Sequence, residues 1–124
     1  AKSDEYADEI AEKFGIKHLY ARHPQSLSEG QKRRVSIAAV VATDPEVLIL
    51  DEPTVGQDYK GLCEMVEVLN KLHEEAHNTM ITVTHDKRCA VALCDKSVWI
   101  KNGKTYKTGG KELVDEFFIQ IGVN

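Results

Sequence analysis

Val47-Leu48-Ile49-Leu50-Asp51-Glu52-Pro53-Thr54 decides how this chain is read. Four apolar residues without a polar break predict a short strand covered on both faces, as in parallel sheets. Two carboxylates follow at its C-terminal edge, where ligands of open α/β sheets bind. Such a pair suits nucleotide hydrolysis: Asp51 can hold magnesium, directly or through water, while Glu52 orients and deprotonates an attacking water. An ordinary strand ending in acidic loop residues would share those two letters, but Pro53-Thr54 and a following Asp58 continue the pattern.

Upstream, Leu27-Ser28-Glu29-Gly30-Gln31 opens a helix. The spacing of Ser28 to Gln31 fits a capping box, which alone is worth about 1 kcal/mol of helix stability. The same terminus presents free amides and a positive dipole end to phosphate oxygens; Gly30 permits close backbone approach, and the Ser28 hydroxyl adds a donor. Lys32-Arg33-Arg34, just inside this helix, reads mostly as a solvated face. Downstream, His85 closes a second β-branched run, Met80-Ile81-Thr82-Val83-Thr84, where an imidazole can bond a terminal phosphate and keep a water in place.

Around these motifs the sequence organises as alternating helices and strands. Ser3 or Asp4 can cap a first helix carrying Ala7, Ile10, Ala11 and Phe14, with Gly15 as its left-handed stop. Residues 16–26 read as a connection. The helix begun at Ser28 runs to Asp44-Pro45, and its apolar middle, Ile37-Ala38-Ala39-Val40-Val41, predicts extensive burial. Leu62, Met65, Val66, Leu69, Leu72, His73 and Ala76 follow helical spacing between the two strands, which makes a β-α-β crossover. After His85 come a short helix carrying Cys89, Ala90, Ala92 and Leu93, then a hairpin turning at Asn102-Gly103 between Ser97–Lys101 and Lys104–Lys107. A last helix spans about Lys111 to Ile121.

The chain has 124 residues, enough for one modest core, and 16 Lys+Arg against 20 Asp+Glu give a formal charge of −4. That balance argues against a general grip on nucleic acid or anionic lipid. Cys63, Cys89 and Cys94 suit buried thiols in a reducing compartment better than a disulfide framework. The apolar runs fall short of the ~18 to 20 residues of a membrane span, and Ala1-Lys2-Ser3-Asp4 is not a signal peptide, so a soluble chain is expected. The missing initiator methionine fits trimming, proteolysis or an engineered boundary.

Taken in order, these elements resemble the C-terminal portion of an ABC transporter ATP-binding domain, from just before its signature motif to beyond its switch histidine. The resemblance implies an α/β, partial P-loop NTPase fold: parallel strands with crossover helices, plus a C-terminal β-hairpin and helix. Residues 1–124 form one partial domain, with 1–45 the signature-bearing helical part and 46–124 running from Walker B to the C-terminus. By that likeness Ser28, Glu29, Gly30 and Gln31 form the nucleotide-facing signature and Asp51 is the Walker B magnesium ligand. Glu52 is the catalytic base, Asp58 belongs to the D-loop, and His85 is the catalytic switch histidine. The cofactor is Mg2+ and the substrate ATP. The segment from Gln31 to Ala38, continuing into Asp44-Pro45-Glu46, is most similar to energy-coupling-factor and cobalt-type importer ATPases. Two positions depart from the family pattern: Glu29 replaces the usual second glycine, and Gln57 stands where leucine is common.

The family's P-loop, Gly-x-x-x-x-Gly-Lys-Ser/Thr, does not occur in these residues. Gly56 and Gly61 have the right separation, but Leu62 follows; Gly103-Lys104-Thr105 has the right ending, but Val98 holds the first glycine position. In the family two domains pair head to tail, each ATP lying between one P-loop and the other signature. The resemblance therefore implies a second ATPase subunit or domain, transmembrane transporter subunits, no nucleic acid, and a cytoplasmic place on the inner face of the membrane. It implies ATP hydrolysis by the complete domain, coupled to import of a metal ion or vitamin, and no tight ATP binding by this chain alone. Without the P-loop half, an edge and an apolar face of the sheet should lie bare, which favours dimerisation or segment exchange. Two other readings fit less well: a DNA-repair or chromosome-type ATPase lobe, against which residues 1–26 lack sustained heptads, and a non-catalytic module docking on a complete ATPase.

Overall fold

A computed structural model describes residues 3–122 of the chain. They fall into two compact units, one through Val83 and one from Thr84 onward.

The first unit begins with α1 (Asp4–Lys13), whose Ser3 hydroxyl accepts from the Tyr6 amide. Asp4 and Glu5 in its first turn and Lys13 in its last complement the helix dipole. Ile10, Ala11 and Phe14 are buried, and Gly15 takes the left-handed conformation that lets the chain leave. The connection expected over 16–26 contains two single 3-10 turns, Lys17–Leu19 and Pro24–Ser26. α2 (Glu29–Val41) then packs against α1, and both directions of the capping box between Ser28 and Gln31 are made.

β1 (Val47–Asp51) and β2 (Thr79–Val83) pair in parallel, Val47 opposite Thr79 and Asp51 opposite Val83, joined by α3 (Tyr59–Ala76). The crossover unit is as the apolar spacing predicts. Leu62, Met65, Val66, Leu69 and Leu72 form the buried stripe of α3, and Leu48 and Leu50 the buried face of β1. Ala76 is exposed, and α3 ends on His77 in the left-handed region (φ 52°).

Two burial expectations are corrected. Continuous apolar runs predict strands covered on both faces, but Val47, Ile49, Ile81 and Val83 are 49–67% exposed. Their register places all four on one side of the two-stranded sheet. In α2, only Ile37, Ala38 and Val41 are buried, while Ala39 and Val40 face outward. An apolar run records what a segment covers in a full fold, and these faces have no cover among the described residues.

The second unit contains α4 (Lys87–Leu93), β3 (Ser97–Lys101), β4 (Lys104–Gly109) and α5 (Lys111–Gln120). β3 and β4 are antiparallel and turn at Asn102-Gly103, both at positive φ, as a tight hairpin of this kind requires. β4 runs two residues beyond the predicted Lys107. The helix α5 closes on the hairpin and on α4 through Leu113, Val114 and Phe118, whereas Ile121 stays exposed. Of the thiols expected inside, Cys89 is buried, Cys94 half-buried and Cys63 exposed on the outer face of α3.

Candidate functional site

In the first unit, the terminus of α2 and the loop after β1 meet. Ser28 caps α2 by accepting from the Gln31 amide at 3.1 Å, and the Gln31 side chain accepts from the Ser28 amide at 3.0 Å. The box uses only the Gln31 amide of the first helical turn. The Glu29 and Gly30 amides, which have no acceptor within any helix, are left for an anion, and the Ser28 hydroxyl hydrogen is still available to donate. Capping and phosphate binding are therefore compatible here. Glu29 forms an exposed ion pair with Lys32 at 3.4 Å, which offsets some of the negative charge it brings.

The loop after β1 is shaped by its backbone. Glu52 sits at φ 48°, a left-handed conformation that is costly for a side-chain-bearing residue and turns the chain sharply out of the strand. Its amide donates to the Val83 carbonyl at 2.7 Å, so the strand ladder holds Glu52 even as the chain departs. Asp51, exposed, ends the strand before it, while Pro53 and Thr54 are buried beneath the turn. An exposed carboxylate at a strand end is the hard, single-oxygen donor that magnesium takes alongside water and phosphate oxygens, so Asp51 fits that ion.

Contact between the two motifs is close. A Cβ added to Gly30 would lie 2.7 Å from the Gly56 carbonyl oxygen, and one added to Gly56, at φ +82°, would lie 3.2 Å from the Gly30 nitrogen. Only glycine fits on either side. Asp58 caps α3 by accepting from the Gly61 amide at 2.7 Å, and this aims the segment between Glu52 and α3. Arg33 donates to the Asp51 carbonyl oxygen at 3.4 Å, a second tie from α2 to the end of β1.

One residue read as solvated is not. The Arg34 side chain is only 18% exposed, and its guanidinium reaches the Phe14 and Gly61 carbonyls, Glu64 and the Gln57 side chain. A signal was available: Arg34 lies three, four and seven residues before Ile37, Ala38 and Val41, the buried face of its own helix. Gln57 and Gly56, likewise outside the predicted nucleotide-binding set, are central to this junction.

His85 belongs to the second unit, where it is exposed between β2 and α4. Its neighbour Asp86 caps α4, accepting from the Arg88 and Cys89 amides at 2.8 and 3.4 Å. The Arg88 guanidinium, bound to both Asp86 oxygens, holds that carboxyl below the usual carboxylate range. The Thr84 hydroxyl accepts from the Asp86 amide at 3.0 Å, so the segment carrying His85 is fixed on both sides.

Residues 2–55 match the family model of the ABC transporter. The chain is 41% identical over 117 residues to the energy-coupling factor transporter ATP-binding protein EcfA2 of Enterococcus faecalis, which covers 90% of the chain and 40% of that protein. It superposes on cbiO1 of Clostridium perfringens, part of the ABC transporter complex cbiONQ, with TM-score 0.75 and 35% identity over 94% of this chain and 48% of that one. A dimeric bacterial ABC transporter cassette, MJ0796, gives TM-score 0.78 at 31% identity over 90% and 50% of the two chains. The chain is thus similar to ABC transporter ATP-binding proteins, the energy-coupling factor protein EcfA2 and cbiO1 among them, and spans about half the length or less of these proteins.

Proposed function

We propose that this chain is the signature-to-switch portion of an ATPase subunit that hydrolyses ATP to drive transport across a membrane, in the manner of importers of metal ions or vitamins. The observation that carries the proposal is the junction of Gly30 with Gly56, which joins an anion-ready helix terminus to the loop bearing Asp51, Glu52 and Asp58. A helix cap and an acidic strand end have no need of one another. A domain paired head to tail needs them at a fixed separation, because its signature serves the partner's ATP while its acidic loop serves its own.

In this reading the 124 residues act as one partial domain, residues 1–45 carrying the signature and 46–124 the Walker B strand, D-loop and switch. Ser28, Glu29, Gly30 and Gln31 face the terminal phosphate of an ATP held by a second ATPase subunit or domain paired head to tail. Asp51 would hold Mg2+, which would supply charge neutralisation at the phosphates. Glu52 takes the proton of the attacking water, His85 holds that water or the terminal phosphate, and Asp58 keeps the D-loop in place at the paired site. The bare face of β1 and β2 is where the P-loop half of the domain packs. No helix among the described residues is long and apolar enough to cross a membrane. Attachment to the cytoplasmic face would come from transmembrane partner subunits, and nucleic acid plays no part.

The test is Glu52→Gln in the complete protein. Loss of a general base should lower turnover about 10²- to 10⁴-fold while leaving ATP bound, read by phosphate release and nucleotide retention. Undiminished turnover removes Glu52 from its role. The 124-residue chain titrated with MgATP by calorimetry should show no tight binding; micromolar affinity would contradict the dependence on a separate P-loop.

A further inference from the structure

We propose that Gln57 is a positioning residue, whose carboxamide clamps the turn after Walker B to the first turn of the signature helix and so sets how the signature meets nucleotide. The inference rests on the function proposed above and deepens it.

The Gln57 Nε2 donates to the Gly30 carbonyl oxygen at 2.9 Å, and its Oε1 accepts from Arg34 Nε at 2.9 Å. One planar group is thus bonded at both ends to α2, while its own backbone immediately precedes Asp58, the cap of α3. The anchor is rigid, because Arg34 is also tied to the Phe14 and Gly61 carbonyls and to Glu64. There is little slack on the other side. A Cβ on Gly30 would fall 3.1 Å from the Gln57 nitrogen as well as 2.7 Å from the Gly56 oxygen.

Leucine, common at this position in the family resembled, fills similar space but makes neither bond. In this chain the attitude of the signature turn is therefore set by directional hydrogen bonds, and Gln57 carries them. Because the signature engages ATP only when two domains close around it, loss of the clamp should weaken the closed state. It should leave a lone subunit's own hold on ATP untouched.

The experiment uses the full-length protein in its assembled complex, with Gln57→Leu, Gln57→Met and Gln57→Glu. Glutamate keeps the length and the acceptor for Arg34 but cannot donate to the Gly30 carbonyl. Glutamate should raise the MgATP concentration for half-maximal turnover about tenfold, the effect of losing one ordinary hydrogen bond, and leucine and methionine, which lose both bonds, should raise it at least as much. Nucleotide affinity of the separated subunit should stay unchanged. A role confined to stability would instead lower the thermal midpoint and the active fraction, with half-saturation unmoved. Unchanged half-saturation in the leucine and methionine variants, or a glutamate variant equal to the parent, overturns the clamp while Glu52-dependent turnover stands. A parent complex without magnesium-dependent ATP turnover, or one that turns over normally with Glu52→Gln, overturns the functional reading and the clamp with it.

Discussion

The two units hold their polar residues in place by different means. In the unit through Val83, the bonds that fix the site join residues far apart in sequence: Gln57 to Gly30 across 27 positions, Arg34 to Gln57 across 23 and Arg34 to Glu64 across 30. In the unit from Thr84 the bonds beside His85 and at the start of α5 are local, and among the longer ties are Ser97 to the Gly110 carbonyl and the surface ion pairs Lys87–Asp115 and Lys107–Glu116. Asp86 binds Arg88 and Glu112 binds the Gly110 amide, each two residues apart, and the hairpin and α5 are joined mainly by aromatic packing. Trp99 meets Tyr106 and Phe117 edge-on at 5.0 and 5.1 Å, and Phe117 meets Phe118 at 5.0 Å. The exposed part of the loop after β1 gains little from apolar burial, so long-range polar ties hold it. A terminal hairpin and helix need only cover each other.

Substitutions can break or sharpen that contrast. The largest effect is expected from Trp99→Ala, which empties the centre of the aromatic cluster; it should cost about 3–5 kcal/mol, read by urea unfolding and by faster hydrogen exchange over residues 97–121. Arg34→Met should cost about 2–3 kcal/mol by leaving partly buried carbonyls unbonded. Its signature is faster exchange at both 28–34 and 55–61, because one side chain serves both segments. Exchange confined to α2 would mean that Arg34 is no junction. Gly30→Ala should cost about 1–3 kcal/mol through the clash with Gly56, and a fully tolerated alanine would show that the loops do not meet as closely as described.

The smallest effect concerns the second unit alone. Asp86→Ala should cost about 1 kcal/mol as a lost cap. Because the Asp86 carboxyl titrates below its ordinary 3.8 when folded, its contribution is present in full above that value. It fades as pH falls through the lowered folded value. Unfolding followed from neutral pH down to below pH 3.8 should therefore show the parent losing this advantage over Asp86→Ala; a difference that stays constant with pH would refute the linkage.

Much of this was legible in the chain. The parallel pairing of β1 and β2 follows from two apolar runs separated by one amphipathic helix, and the hairpin from Asn102-Gly103. The capping box at Ser28 and Gln31 is visible as spacing. Arg34 is marked only by its helical spacing to Ile37, Ala38 and Val41, which its basic triplet obscures, and Gln57, in a loop, carries no mark. Neither residue type announces burial, and the contact between them depends on how a helix and a loop more than twenty residues apart are brought together. Continuous apolarity implies cover on both faces of the strands, yet Val47, Ile49, Ile81 and Val83 are exposed, which is the bare apolar face expected of this sheet.

By itself the sequence determined which segments form strands and helices, where they begin and turn, and which carboxylates stand at a strand's edge. These follow from periodicity, caps and turn residues, which act over a few positions. Only the tertiary structure decided that Gly30 lies against Gly56 and that Arg34 and Gln57 tie them, because such contacts depend on the packing of whole elements. The left-handed turn at Glu52 belongs with them. Nothing in a glutamate favours that conformation, and it persists because the Val83 carbonyl and the buried Pro53 and Thr54 fix the chain on either side.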